Sequence, residues 1–396
     1  MGPRLNLLAP EVRANPYPYY AELRRTSPVC QVGPGEVWAV TRYDDVITVL
    51  KNPLRYSSEG MRRATCPAWL EDAPFAQSMV VHDPPAHGRL RALVNRAFGP
   101  TALNRLEPWV REQAESLAAR LTAGQELDLV EAFNRPLPSA VMRELLGLDA
   151  SLEPLFPRWA DDLTSTSSVA PGDLGRMEQI RYTVREARHH LTAVLENRRL
   201  APGQDMVSEL ISARVEGEAL TDAELLGFLF MLLIAGMETT IHLLSHSARL
   251  LMEHPEVLAR VRADRSLLPR LVEEVLRCEP PVHGILRVTT AETELSGVRL
   301  PAGAWVLALL ASANRDESRF PDADRFDIDR PGPQNLPFGY GIHFCLGAPL
   351  ARLEARLGLD ALLSRFSAIV PRGPVTWNLS LSVRGPRSLP VELVAG

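Results

Sequence analysis

From about residue 86 to residue 280, apolar positions recur every three or four residues, the spacing of helices that bury one face. Elsewhere the pattern changes. Val29 to Val32 and Val37 to Thr41 are short runs joined through Gly33-Pro34-Gly35, which predicts paired strands, with helices over 17–25 and 43–51 beside them. Residues 292–310 return to strand character, with a turn at Pro301-Ala302-Gly303, and so do 367–396. A further helical stretch covers 346–363. The β-containing segments 29–41, 292–310 and 367–396 are far apart in sequence and must meet in space. The pattern therefore predicts a mainly α chain with a small β region, folded as a single domain over 1–396. No period holds from Ser57 to Val80, where Gly60, Pro67 and Pro74 intervene. A loop of that length carrying Trp69, Phe75 and Met79 reads as a lid.

One predicted helix stands apart. Thr221 and Glu224 have the spacing of a capping box, opening a helix that runs to about Glu253. Its first half, Leu225 to Ile234, is apolar on every face and must pass through the core. Then comes Ala235-Gly236-Met237-Glu238-Thr239-Thr240. A carboxylate and two hydroxyls among leucines need partners or a task. Ala235 and Gly236 open space on one face, and Thr239 can bond back to the carbonyl of Ala235 and distort the helix into a groove. A simple notch for helix packing accounts for the same small residues.

Composition narrows the classes. The 396 residues are 46% hydrophobic with a net charge of −5, which suits a large core and lacks the basic footprint of a nucleic-acid binder. Cys30, Cys66, Cys278 and Cys345 are scattered with no C-x-x-C, which excludes a zinc ribbon and fits a reducing cytoplasm. The longest apolar run, Leu225 to Met237, is short for a bilayer span, and the first twenty residues carry no signal-like core. The expectation is a soluble cytoplasmic protein without a membrane anchor.

Candidate chemistry centres on Cys345, in Phe338-Gly339-Tyr340-Gly341-Ile342-His343-Phe344-Cys345-Leu346-Gly347. Gly339 and Gly341 permit a tight fold, and the following helix places its N-terminus at the sulfur, which favours a thiolate. A thiolate on such a loop suits a metal centre better than a nucleophile. The segment resembles the haem-binding loop of the cytochromes P-450, F-G-x-G-x-H-x-C-x-G, at every specified position. The resemblance implies that Cys345 ligates the iron of haem b, that Gly339 and Gly347 shape its loop, that Phe338 packs beside the thiolate, and that His343 donates to a propionate. It also implies the P-450 fold, with haem between the long central helix and the Cys-loop helix.

Four further segments extend the resemblance. Ala235 to Thr239 is similar to A-G-x-E/D-T, which makes Ala235 a haem contact, Thr239 the alcohol at the oxygen site and Glu238 the acid relaying protons. Glu274 and Arg277, alone an ordinary i,i+3 surface pair, resemble the E-x-x-R element, with Arg330 as third member of a structural ion network. Asp83-Pro84-Pro85-Ala86-His87-Gly88-Arg89-Leu90-Arg91 resembles D-P-P-x-H-x-x-x-R, which assigns His87 and Arg91 to propionates; Arg287 matches another propionate-binding arginine. By the same resemblance the substrate pocket draws on the 57–80 lid, 156–168, Phe230, Ile234, Val282, His283, Ile285 and the turn at Leu379. His283 either bonds a substrate oxygen or caps backbone.

The implied function is a haem-thiolate monooxygenase that inserts one oxygen atom from O2 into a lipophilic small molecule. Hydroxylation of a polyketide or macrolide, a terpenoid or steroid, or a fatty acid is expected. No flavin or ferredoxin domain is fused, so a separate ferredoxin and NAD(P)H ferredoxin reductase would supply electrons to a monomer. Arg96, Arg105, Arg352 and Arg356 are candidates for a basic patch that steers an acidic ferredoxin, or are ordinary helix-surface arginines. Epoxidation, phenol coupling or peroxide-driven oxidation at the same haem, and a non-catalytic haem sensor or carrier, are the rival readings; the Glu238-Thr239 pair counts against a peroxide user and a carrier.

Overall fold

Side-chain alternation along short strands decides the main sheet. In the computed structural model, which describes residues 4–62, 66–70, 73–170, 172–332 and 334–396, Val29–Val32 pairs antiparallel with Val37–Val40. Val37–Val40 then pairs parallel with Trp305–Ala308, and Ile285–Thr289 and Tyr56–Ser57 complete the five-stranded sheet. Neighbouring residues in a strand face opposite ways. Ala39 and Leu307 therefore join Leu7, Val12, Tyr17 and Tyr20 in one apolar cluster. Val40, Val306 and Ala308 join Val46, Val49, Leu50 and Tyr56 in another.

The predicted helices over 17–25 and 43–51 are Tyr17–Thr26 and Tyr43–Lys51. The 292–310 region holds the hairpin Thr293–Leu295 and Val298–Leu300, turning at Ser296 and Gly297 with positive φ, followed by Trp305–Ala308. Near the C-terminus, Pro390–Ala395 pairs with both Phe366–Pro371 and Glu126–Asp128. The strands Tyr56–Ser57, Glu126–Asp128 and Ile285–Thr289 were not legible in the pattern. Two to five residues give too few alternations to declare a period, and their partners lie far off in the chain.

Contact density divides the protein into two compact units. One comprises 1–57, 110–137 and 239–396 and holds these strands together with the helix Ala348–Arg365. The other comprises 58–109 and 138–238 and is built from helices such as Ala86–Asn95, Phe156–Thr164 and Leu174–Leu200. In it, described parts of the expected lid form short 3-10 turns, and Arg181 from Leu174–Leu200 donates twice to the carbonyl of Trp69 (3.0 and 2.8 Å). Residues 63–65 and 71–72 of that stretch lie outside the described residues.

The long helix spans Asp222–Glu253 and contributes to both units, which divide at Glu238 and Thr239. Its capping box is present: Thr221 N donates to Glu224, and Glu224 N donates to the Thr221 hydroxyl. Among the described residues it is the one helix long and apolar enough to cross a membrane, and 72% of its most apolar window is buried in protein. The helix is continuous through Thr239. The space beside Gly236 is filled: a Cβ there would lie 2.0 Å from Met142 Sδ. Packing against Met142 accounts for that glycine.

Candidate active site

The Cys345 loop is held by its own backbone. Gly339 and Gly341 have φ of 75° and 73°, a region that disfavours side chains. A Cβ on Gly341 would also lie 2.9 Å from the carbonyl oxygen of Leu50. Cys345 N donates to the Phe338 carbonyl (3.0 Å), closing the loop over a 3-10 turn at Gly341–His343. The helix then runs Ala348–Arg365, two residues later than its apolar pattern begins, with Gly347 at the N-cap. This places Cys345 just ahead of a helix N-terminus, whose partial positive charge favours the thiolate.

Phe338 is fixed from the other side. The Arg352 guanidinium stacks 4.5 Å from its ring centroid and is itself ion-paired to Glu273. Arg105 is likewise engaged, with Glu209. Two of the four arginines of the expected basic patch are thus already paired to carboxylates, which weakens their share of the field a patch would need. The Arg96 side chain lies outside the described residues.

Glu274, Arg277 and Arg330 are brought together, the first two buried and Arg330 half-buried. Arg277 forks onto both Glu274 oxygens at 2.8 Å, while Arg330 Nε reaches Glu274 at 3.4 Å. Arg277 also donates to the carbonyls of Asn314 and Ala323, and the N–H of Asp327 donates to Glu274. Burial alone would lower the Arg277 pKa, but the Glu274 contacts outweigh it and raise it.

Among the other predicted residues, Arg287 is buried on Ile285–Thr289 and donates to the Leu286 carbonyl (2.7 Å). In the second unit His87 is buried and Arg91 half-buried on Ala86–Asn95. The His87 N–H bonds the Asp83 carbonyl, whereas the Asp83 carboxylate accepts from the N–H of Ser58. On the central helix Phe230 is buried, while Ile234, Ala235, Glu238 and Thr239 form an accessible strip on a helix otherwise mostly covered.

Of the pocket candidates in the first unit, Val282 bridges to Val383, and His283 N donates to the Ser382 carbonyl (2.7 Å), so this stretch meets the 378–385 turn. Leu379 on that turn is 77% exposed, and Ile285 is half-buried. The His283 ring, by contrast, is fully buried against Tyr17 and Tyr20, with Nδ1 3.3 Å from the Tyr20 hydroxyl. Its burial holds the ring far below the usual histidine pKa, and hence neutral. This geometry packs the ring against Tyr17 and Tyr20.

A model of the cytochrome P450 family matches residues 4–385. The cytochrome P450 monooxygenase PikC of Streptomyces venezuelae is 39% identical over 98% of this chain and 93% of its own. The chain belongs to the cytochrome P450 family. The 6-deoxyerythronolide B hydroxylase of Saccharopolyspora erythraea is 38% identical, covering 95% of this chain and 96% of its own. The solved structure of P450 CYP109Q5 from Chondromyces apiculatus superposes with a TM-score of 0.92 at 42% identity, covering 100% of both chains. The protein is therefore an oxidoreductase, a P450 monooxygenase with the P450 fold, and its cofactor is thiolate-ligated haem b.

The surface of this P450 fits that group. Cys345 is exposed, and so are its neighbours Ile342 (38%) and Phe344 (43%). Apolar side chains ringing an accessible thiol are what a flat, apolar macrocycle with a central metal would cover.

One buried network escaped the sequence. Glu279 accepts from Tyr17 (3.0 Å), Arg384 (2.8 Å) and Arg249 (2.7 Å), with His246 at 3.8 Å. Burial would raise its pKa, but Arg249, Arg384, His246 and Arg315 hold it well below the usual carboxylate range. No motif marks these residues, because they converge from five separate segments. Glu354 on the Cys-loop helix also escaped the sequence, a buried carboxyl whose Oε2 has no partner among the described residues and whose pKa burial raises.

Proposed function

We propose that Cys345 would hold the haem iron through its thiolate and that the protein hydroxylates a lipophilic natural product of the polyketide or macrolide, terpenoid or steroid, or fatty-acid class. The observation that carries this reading is the exposed Cys345 thiol, ringed by Ile342 and Phe344 and set ahead of a helix N-terminus. Bound haem supplies oxygen activation and transfer, with the thiolate's electron donation favouring O–O cleavage. Gly339, Gly341 and Gly347 hold the Cys345 sulfur in place, and Arg352 holds Phe338 beside it.

On the family resemblance, His343, Arg287, His87 and Arg91 are the propionate partners. Their N–H groups donate to carboxylate oxygens, and an Arg fork suits that geometry. The Thr239 hydroxyl donates a hydrogen bond at the oxygen site, and the Glu238 carboxyl passes protons inward from solvent. Phe230, Ile234, Val282, Ile285 and Leu379 exclude water from the substrate with apolar surface. The 6-deoxyerythronolide B hydroxylase relative supports the macrolide end of this range. A separate ferredoxin with an NAD(P)H-dependent reductase delivers electrons, and the protein works as a cytoplasmic monomer.

The test is the difference spectrum of the reduced carbonyl complex for wild type and Cys345→Ala, followed by spin-state titration with a panel of macrolides, steroids and fatty acids. A thiolate-type spectrum lost on substitution, and a shift with one class, are expected. A ligand field unchanged in Cys345→Ala would overturn the reading.

A further inference from the structure

The turn at 378–385 is fastened to the first helix, Pro10–Ala14, by two arginines pointing in opposite directions. Arg13 is 5% exposed and donates from Nε and Nη2 to the Asn378 carbonyl (3.2 and 3.0 Å). Its Nη2 also donates to Asn378 Oδ1 (2.7 Å) and the Val383 carbonyl (3.1 Å). In return Arg384 donates to the carbonyls of Arg13 (2.9 Å) and Ala14 (2.8 Å), while its other nitrogen reaches Glu279. A buried guanidinium satisfied this way fixes the turn at both ends, because each lost bond would strand a desolvated donor.

The same turn touches the central helix. Asn378 Nδ2 donates to His242 Nε2 (3.4 Å), and a Cβ on Gly385 would lie 2.0 Å from the His242 ring. His242 follows Thr239 by three residues, so both sit on one helix face. Asn378 thus faces Arg13 with its carbonyl groups and His242 with its amide. Next to it, Leu379 projects into the open.

We propose that Arg13 is a positioning residue for substrate selection: it holds the 378–385 turn, and with it Leu379, in register with the helix that carries Thr239. The inference rests on the reading of Leu379 as a pocket wall. Arg13 touches no substrate and acts through Asn378. Displacing the turn changes the pocket's shape on the Leu379 side and leaves the Cys345 loop untouched.

The experiment compares haem-loaded wild type with Arg13→Ala, Asn378→Ala and Leu379→Ala. Asn378 is only half-buried, so its variant cuts the clasp from the turn side if Arg13→Ala fails to fold. The probes are imidazole and 4-phenylimidazole, which differ only by the phenyl ring that the proposed pocket wall would meet. Hydrogen exchange of the 378–385 peptide is read in parallel. In the clasp variants 4-phenylimidazole affinity is expected to change on the order of tenfold while imidazole stays within about twofold, with faster exchange in the turn. Arg25→Ala, on the exposed side of Tyr17–Thr26, should match wild type in all three readouts. If Leu379→Ala changes the probe ratio and neither clasp variant does, the inference fails while the pocket reading stands. If exchange speeds up but the ratio holds, Arg13 is merely structural and the inference also fails. If Leu379→Ala itself leaves the ratio unchanged, the turn is no pocket wall and both fall together.

Discussion

Met142 occupies the volume that a side chain on Gly236 would need, with Sδ 2.0 Å from the position of a Cβ there. Met142 is itself buried, so its thioether has little room to retreat. Gly236→Ala should therefore cost about 1–3 kcal/mol through overpacking. In a Met142→Ala background the same substitution should cost less, as a double-mutant cycle followed by urea unfolding would show. If Gly236→Ala costs as much in that background as in wild type, the clash is not the cause.

Removing Arg277 leaves Glu274 buried without its fork. Arg277→Ala is expected to cost about 3–5 kcal/mol, since breaking a buried pair strands a charge. Glu274→Ala strands the guanidinium instead, and the double variant should cost less than the sum. Additive losses in a double-mutant cycle would show that the two act independently.

His246 is fully buried, with its pKa pushed down to about 3, chiefly by burial. In the unfolded chain a histidine titrates near 6.5. The folded state thus binds fewer protons, and the stability is complete above that pH and lost as pH falls through it. His283 acts in the same window, and depressed Glu279 adds its loss below the ordinary carboxylate pKa. His246→Gln should flatten part of the acid-side slope of the urea midpoint. An unchanged slope in this variant would refute the assignment.

Glu354 works with the opposite sign. Burial raises its folded pKa, so the carboxyl remains protonated after the unfolded chain has ionised. Its contribution is complete below the unfolded value near 4.5 and is lost as pH rises through the folded one. Glu354→Gln should gain on wild type steadily as pH rises above that value. The difference between the two proteins is the informative quantity, because the histidines tilt the wild-type curve the other way. A constant difference across pH would mean that Glu354 is already ionised in the fold.

On the proposed relay, Thr239→Ala lowers the yield of product per NAD(P)H consumed by roughly tenfold or more, and peroxide replaces the missing product. Glu238→Gln should slow turnover and enlarge its solvent isotope effect. Unchanged coupling in Thr239→Ala, measured with a surrogate ferredoxin pair, would remove Thr239 from the relay.

The glycine-turned Cys345 loop, the Thr221–Glu224 cap, the long apolar helix and the main helices were all legible in the chain, because each is set by residues within a few positions of one another. Backbone freedom at Gly339 and Gly341, and helical periodicity elsewhere, are local properties that no distant partner needs to supply. Glu274 and Arg277 could be paired by spacing, but only the fold buries them and brings Arg330 to the same carboxylate. The brief strands, the Met142 plug, the Glu279 network and the two-way clasp between Arg13 and the 378–385 turn were decided by tertiary structure alone. Each depends on segments up to 371 residues apart, whose meeting carries no periodic signature and is settled by what must be buried and satisfied together.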